Sequence, residues 1–364
     1  MVACGILFSA FSIAYIMGFQ TDLLEAFHYS LSQGRTRYSP LFGVFFITVV
    51  AFVIRWGINK LLNLKGVLYA LSYFPACLLL GVLFDLNYDV CHGGGISDVW
   101  SWLLPLLMVG YIGLGYLLKS LLRWTWGSFS IPETVNANLF TLLLLCLMTI
   151  GIGNSDKHLH EELAMEMAIK RGNDEQACLL GEETIDPSRT MTALRAYALS
   201  RNGQLGERLF LSSQLYGSEG LVFDSSGKKV LYIDNDSLKT YWGNGLRAGE
   251  RAVDFFRRLC MEEQGSHVVL DYYLSALLLD KQLKRFTTDF EALYSEEDSV
   301  PKHYREALFL YNKMFPISEV TDSVMENHWQ RYEALKQAVS DKKERPEILR
   351  KVFGGTYWWY YQHR

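Results

Sequence analysis

The sequence predicts an all-α protein in two parts: a five-span transmembrane helix bundle, then a soluble solenoid of tetratricopeptide-like α-helical hairpins with a small β-hairpin insertion. Three observations carry this prediction. Five apolar runs within residues 1–154 each approach the roughly 20 residues that cross a hydrocarbon core. Residues 1–154 hold seven Lys or Arg and six Asp or Glu, whereas residues 155–364 hold 28 and 33. Beyond Asn154 the apolar residues recur at helical spacing, so the transmembrane domain is read as 1–154 and the soluble domain as 155–364. The net charge of −4 excludes a strongly basic nucleic-acid binder, and no nucleic-acid partner is expected.

The spans are read as residues 2–19, 40–54, 66–84, 99–118 and 137–153, and the lipid bilayer is the first expected partner. The first run has no Lys or Arg before it and no small-residue cleavage pattern after it, which favours a retained span over a cleaved leader. The second is the shortest and relies on Arg55 and Trp56 to reach the interface. Arg55, Lys60, Lys65, Lys119 and Arg123 lie in the loops at 55–65 and 119–136, against only Arg35 and Arg37 in those at 20–39 and 85–98. That bias predicts a cytoplasmic N-terminus and, after an odd number of spans, an extracytoplasmic C-terminal domain. Trp56, Trp124 and Trp126 on the inner side and Trp100 and Trp102 on the outer side fit the same arrangement. With no carboxylate or Arg expected in mid-span, an ion-coupled transporter is disfavoured. Pro75 and Pro105 are read as kinks, and Gly110, Gly113 and Gly115 as points of close helix approach.

In the second part, Ala252, Phe255, Phe256 and Leu259 form one stripe, and Val269, Tyr272, Tyr273 and Ala276 another. Leu283, Phe286, Phe290 and Leu293 make the next, with turn signals such as Asn202-Gly203 and Ser299-Val300-Pro301 between the stripes. Residues 192–210 resemble a tetratricopeptide helix pair turning at Gly203, although Arg208 stands where that repeat prefers Ala. Leu221-Val-Phe223 and Val230-Leu-Tyr-Ile233 flank a Gly-containing turn and read as the β-hairpin. The aromatic run Tyr357, Trp358, Trp359, Tyr360 has three readings: a terminal helix capping the solenoid, an interface with membrane or partner, or a stacking platform for a sugar-like ligand.

No nucleotide-binding loop, Cys-x-x-Cys or Gly-x-Ser-x-Gly occurs, and no cofactor is expected. In the inferred topology Asp22, Glu25, His28, Asp85, Asp89, His92, Asp98, Asp156, His158 and His160 fall near one membrane surface. Asp85, Asp89 and His92 are the candidate acid–base residues of a membrane enzyme. His158 and Glu162, four apart, with His160 beside them, are the candidate metal ligands. Cys91-His92-Gly-Gly-Gly95 is the most distinctive loop, and Cys178 and Cys260 could pair.

The chain resembles a family of bacterial polytopic membrane proteins of unknown function. The likeness rests on Arg35-Thr-Arg-Tyr-Ser-Pro-Leu-Phe-Gly43, Leu71-Ser-Tyr-Phe-Pro-Ala-Cys77, Ile152-Gly-Asn154, residues 192–210, Asp271-Tyr-Tyr-Leu-Ser-Ala276, His303-Tyr-Arg-Glu-Ala-Leu308 and Thr356-Tyr-Trp-Trp-Tyr360. It implies a bacterial envelope protein with about five spans and a helical soluble domain, and it implies no activity. The expected role is a non-enzymatic scaffold whose residues 155–364 bind a protein partner. The rival is an enzyme acting on a lipid-linked substrate.

Overall fold

The computed structural model describes residues 2–87, 96–122, 130–224, 232–262, 264–294, 299–315, 322–339, 341 and 343–364. The described residues form helices and turns with no strand, in two compact units, Met1–Leu163 and Ala164–Arg364.

The first unit holds α1 (Val2–Phe19), α2 (Thr21–Ser32) and α3 (Pro40–Leu62). A 3-10 segment, Gly66–Tyr73, then runs into α4 (Phe74–Leu83), followed by α5 (Val99–Leu122), α6 (Ile131–Ile152) and the start of α7 (Lys157–Lys170). Five stretches of 18 to 23 residues, with mean hydropathy from 1.7 to 2.2, are long and apolar enough to cross a membrane. Large side chains such as Phe45, Leu106 and Val109 are exposed on them, faces suited to lipid.

Three details depart from the sequence reading. The second span continues through Arg55 and Trp56 to Leu62, and the helix stops only where Asn63 turns left-handed at φ 48°. Arg55 therefore lies inside a span. Pro75 does not kink a helix; it sits in the first turn of α4, where its missing N–H leaves no bond unmade. Of the three glycines in α5 only Gly115 approaches a neighbour, Leu62.

The third span is the most enclosed of the five. Its 3-10 half cannot satisfy its backbone as an α-helix does, and in hydrocarbon an unmet polar group is costly. Side chains of neighbouring spans supply partners. The buried Asn138 amide of α6 accepts from Ala70 N at 2.7 Å and donates to Gly66 O at 2.9 Å. Tyr111 Oη donates to Leu71 O at 2.8 Å, and Thr149 Oγ1 to Cys77 O at 3.0 Å.

The second unit continues with α8 (Asp174–Leu179), α9 (Arg189–Arg201), α10 (Leu205–Arg208) and α11 (Lys239–Trp242). Then come α12 (Ala252–Met261), α13 (Val269–Leu279), α14 (Leu283–Leu293), α15 (Lys302–Met314), α16 (Ser323–Ala338), α17 (Arg345–Phe353) and α18 (Tyr357–His363). Its core centres on α13, which packs against α12 and α14 and is buried along most of its length. The buried Trp242 meets Phe255, Phe256 and Tyr272 edge to face, at 5.5 to 5.8 Å between ring centres.

Gly203 occupies the expected turn at φ 64°, but the helix after it ends at Arg208 and passes into a 3-10 turn, Leu209–Leu211. The full second helix of a tetratricopeptide pair is not present there. Gly206 lets this short helix approach Pro301 closely, since a Cβ there would stand 2.8 Å from Pro301 Cβ. The β-hairpin is also corrected where it can be seen: Leu221 ends a 3-10 turn, and Val222, Phe223, Tyr232 and Ile233 are not strand. Side chains satisfy the backbone groups that a ladder would have used. Asn235 accepts from Phe223 N at 2.9 Å and donates to Phe223 O at 2.8 Å, and Ile233 N donates to Glu166. The rest of that predicted hairpin, 225–231, lies outside the described residues.

Candidate functional site

The densest polar centre of the first unit is built on Asn154, just past the end of α6. Its N–H donates to Phe84 O at 2.8 Å and its Nδ2 to Leu86 O at 2.7 Å, tying it to the end of the third span. Its carbonyl accepts from Gln20 Nε2 at 3.1 Å, at the end of the first span, and from His160 Nε2 at 3.2 Å, on α7. Its Oδ1 accepts from Asp156 N at 2.7 Å. Gly153 makes this approach feasible, because a Cβ there would overlap the Tyr15 hydroxyl.

His160 completes the centre through Nδ1, 2.7 Å from Asp22 Oδ2. A carbonyl and a carboxylate both accept, so these partners favour the doubly protonated ring. Burial alone would lower its pKa. The hydrogen bond and charge of Asp22, aided by the Asn154 carbonyl and Asp156, outweigh burial and hold His160 above its ordinary value. Doubly protonated, the ring has no lone pair for base catalysis. It acts as a clamp between the first turn of α2 and the start of α7. Beside it lies a cavity of about 510 Å³ whose apolar wall includes Phe11, Tyr15 and Ile150 and whose polar end includes Gln20, Lys157 and His160.

Of the other candidates, Asp85, His158 and Glu162 lie among the described residues. Asp85 accepts from Trp100 Nε1 at 2.5 Å, which couples it to the first turn of α5. Asp89, His92 and the loop 91–95 lie outside the described residues. The His158 N–H donates to Asp156 Oδ1 at 3.0 Å, and Glu162 is buried. Among the described residues no group of three or more His, Cys, Asp or Glu is placed to hold a metal ion. Cys178 and Cys260 are free thiols, and burial pushes them up to about 11 and about 12.

In the second unit the aromatic run is spent on packing. Thr356 caps α18, and Tyr357, Trp358, Trp359 and Tyr360 are all buried. Trp358 lies edge-on to Trp329 at 5.7 Å, and the Tyr360 hydroxyl donates to Leu279 O at 2.7 Å. Beneath them Glu306, 1% exposed, accepts from Tyr357 N at 2.7 Å and from His303 Nδ1 at 3.0 Å. His303 Nε2 accepts from Phe210 N at 3.4 Å. Sequence spacing had not singled out this buried pair, although its members stand three apart on α15.

A groove of about 380 Å³ borders the tail. Its lining includes Phe210, Leu211, Trp359 and Tyr360 together with Glu182, Glu183, Arg350 and Arg364.

Residues 237–364, from just before α11 to the chain end, match a family described as "Family of unknown function (DUF6057)". No curated protein and no solved structure matches the chain.

Proposed function

We propose that the chain is a scaffold of the bacterial inner membrane, anchored by its five spans, with its N-terminus cytoplasmic and its second unit extracytoplasmic. In this reading the second unit works as a stack of tetratricopeptide-like helix pairs that binds another envelope protein. The packing of α12 on α13, α13 on α14 and α14 on α15 supports such a stack. The observation that carries the reading is the groove of about 380 Å³, lined by aromatic residues and by charges of both signs. Those features fit an extended peptide segment that brings an acid to Arg350 and Arg364 and a base to Glu182 and Glu183.

A photo-crosslinking residue at Ser213 in the full chain, expressed in its native membrane, tests this. One envelope protein should be captured, and capture should fall with Arg350→Glu together with Arg364→Glu while the unit stays folded. Equal capture by the charge-reversed chain sinks the proposal. The rival reading, an enzyme acting on a lipid-linked substrate, draws support from the amphipathic cavity beside His160. Alanine at Asp85, Asp89 and His92 together should leave a scaffold working and abolish an enzyme.

A further inference from the structure

Arg55 lies within the helix of the second span. Counting back from Leu62 at about 1.5 Å per residue, it sits roughly 10 Å inside the end of α3. Its guanidinium lies over the rings of Tyr69 and Tyr73, 4.7 and 4.8 Å from their centres, and its Nε donates to Ser72 Oγ at 3.3 Å. Those contacts fix the group, and none of them brings an opposite charge. Among the described residues neither terminal nitrogen has a hydrogen bond or an ion pair.

The cleft beside it, about 410 Å³, is lined by Val2, Gly5 and Ile6 of α1, by Phe52, and by the two tyrosines, with no carboxylate. The first turn of α1 thus faces the same space, and a helix N-terminus carries partial positive charge. Two positive features converge on a cleft whose described lining holds no carboxylate, within a stretch apolar enough to cross a membrane, where an unpaired cation is costly. We infer that this cleft binds the phosphate of a membrane phospholipid. The guanidinium makes paired N–H bonds to the phosphate oxygens, and an acyl chain follows Phe52 and Ile6 into the hydrocarbon. The two tyrosines hold the planar fork in place before the lipid arrives.

Native mass spectrometry of the full chain in mild detergent tests this, with phosphatidylglycerol as the probe and diacylglycerol of the same chains as the control. The wild type should retain one phosphatidylglycerol and no diacylglycerol. Arg55→Gln should weaken retention at least about tenfold, the scale of losing a charge-assisted hydrogen bond, and Arg55→Lys should weaken it less. Gly5→Leu keeps the charge and occupies the cleft. A Cβ there meets only Tyr73 Oη, at 3.7 Å, so the helix tolerates it, and it should also lose the lipid. Retention unchanged in both Arg55→Gln and Gly5→Leu overturns the inference. So does displacement of the lipid by inorganic phosphate, which would make the ligand a soluble anion.

Discussion

Each unit contains a histidine bonded to a carboxylate, and the two rings have opposite hydrogen-bond surroundings. His160 has acceptors on both sides, Asp22 and the Asn154 carbonyl, which favour two protons on the ring. His303 has an acceptor on one side and a donor on the other, Glu306 and Phe210 N–H. Burial tracks this difference: the His303 and Glu306 side chains are 0% and 1% exposed, those of His160 and Asp22 17% and 18%. A charge on the ring costs less where water still reaches the pair than in full enclosure. The same two residue types thus make a clasp in one place and a hydrogen-bonded core relay in the other.

The contrast is broken most severely at Glu306. Replacing it by alanine strands the His303 Nδ1–H and the Tyr357 N–H in the core, and should cost roughly 3 kcal/mol. Chemical unfolding of the full chain in detergent, followed by the fluorescence of Trp358 and Trp359, measures this; a loss below about 1 kcal/mol would mean that the relay does not hold the tail. Glu306→Gln keeps an acceptor and should cost less.

At the clasp, Asp22→Asn should cost about 1 to 2 kcal/mol, since water can solvate part of what is lost. The pH dependence sharpens the comparison. His160 has a folded pKa raised above its unfolded one, so its contribution is complete below the ordinary histidine range and drains away as pH climbs through the raised value. A wild-type melting temperature that falls over this interval, flattened by Asp22→Asn, is the expected result. A slope that survives the substitution would assign it to another group.

The smallest effect concerns the thiols. With burial holding Cys178 up to about 11 and Cys260 up to about 12, both should react with iodoacetamide far more slowly at neutral pH than after denaturation. Rapid labelling of the folded chain would show that the second unit opens locally.

The spans were legible because about 20 apolar residues are a constraint of length and composition alone. Their ends were less so: apolarity stops at Ile54, but the backbone stays helical until Asn63 turns it. The segment 20–39 reads as a loop, yet it contains α2, with Leu23, Leu24 and Ala26 buried on one face. The helical stripes on α12, α13 and α14 were readable from period, whereas the hairpin was misread because two short β-branched runs cannot announce that Asn235 and Glu166 will take their backbone bonds. The clasp was half visible. Asp22 and His160 could be assigned to one membrane surface, but a bond between residues 138 apart depends on packing that no local pattern encodes.

Asn154 also bears on how the chain is made. Synthesis delivers α1, Gln20 and the third span to the membrane well before residue 154 leaves the ribosome. Until then Gln20 has no Asn154 carbonyl to bond, and the Phe84 and Leu86 carbonyls lack the donors that Asn154 brings them. The bundle is therefore fastened by its last span. A chain interrupted before Asn154 would leave an unlatched set of helices for membrane quality control to find, and a chain that passes it closes the latch at three helix ends with one residue.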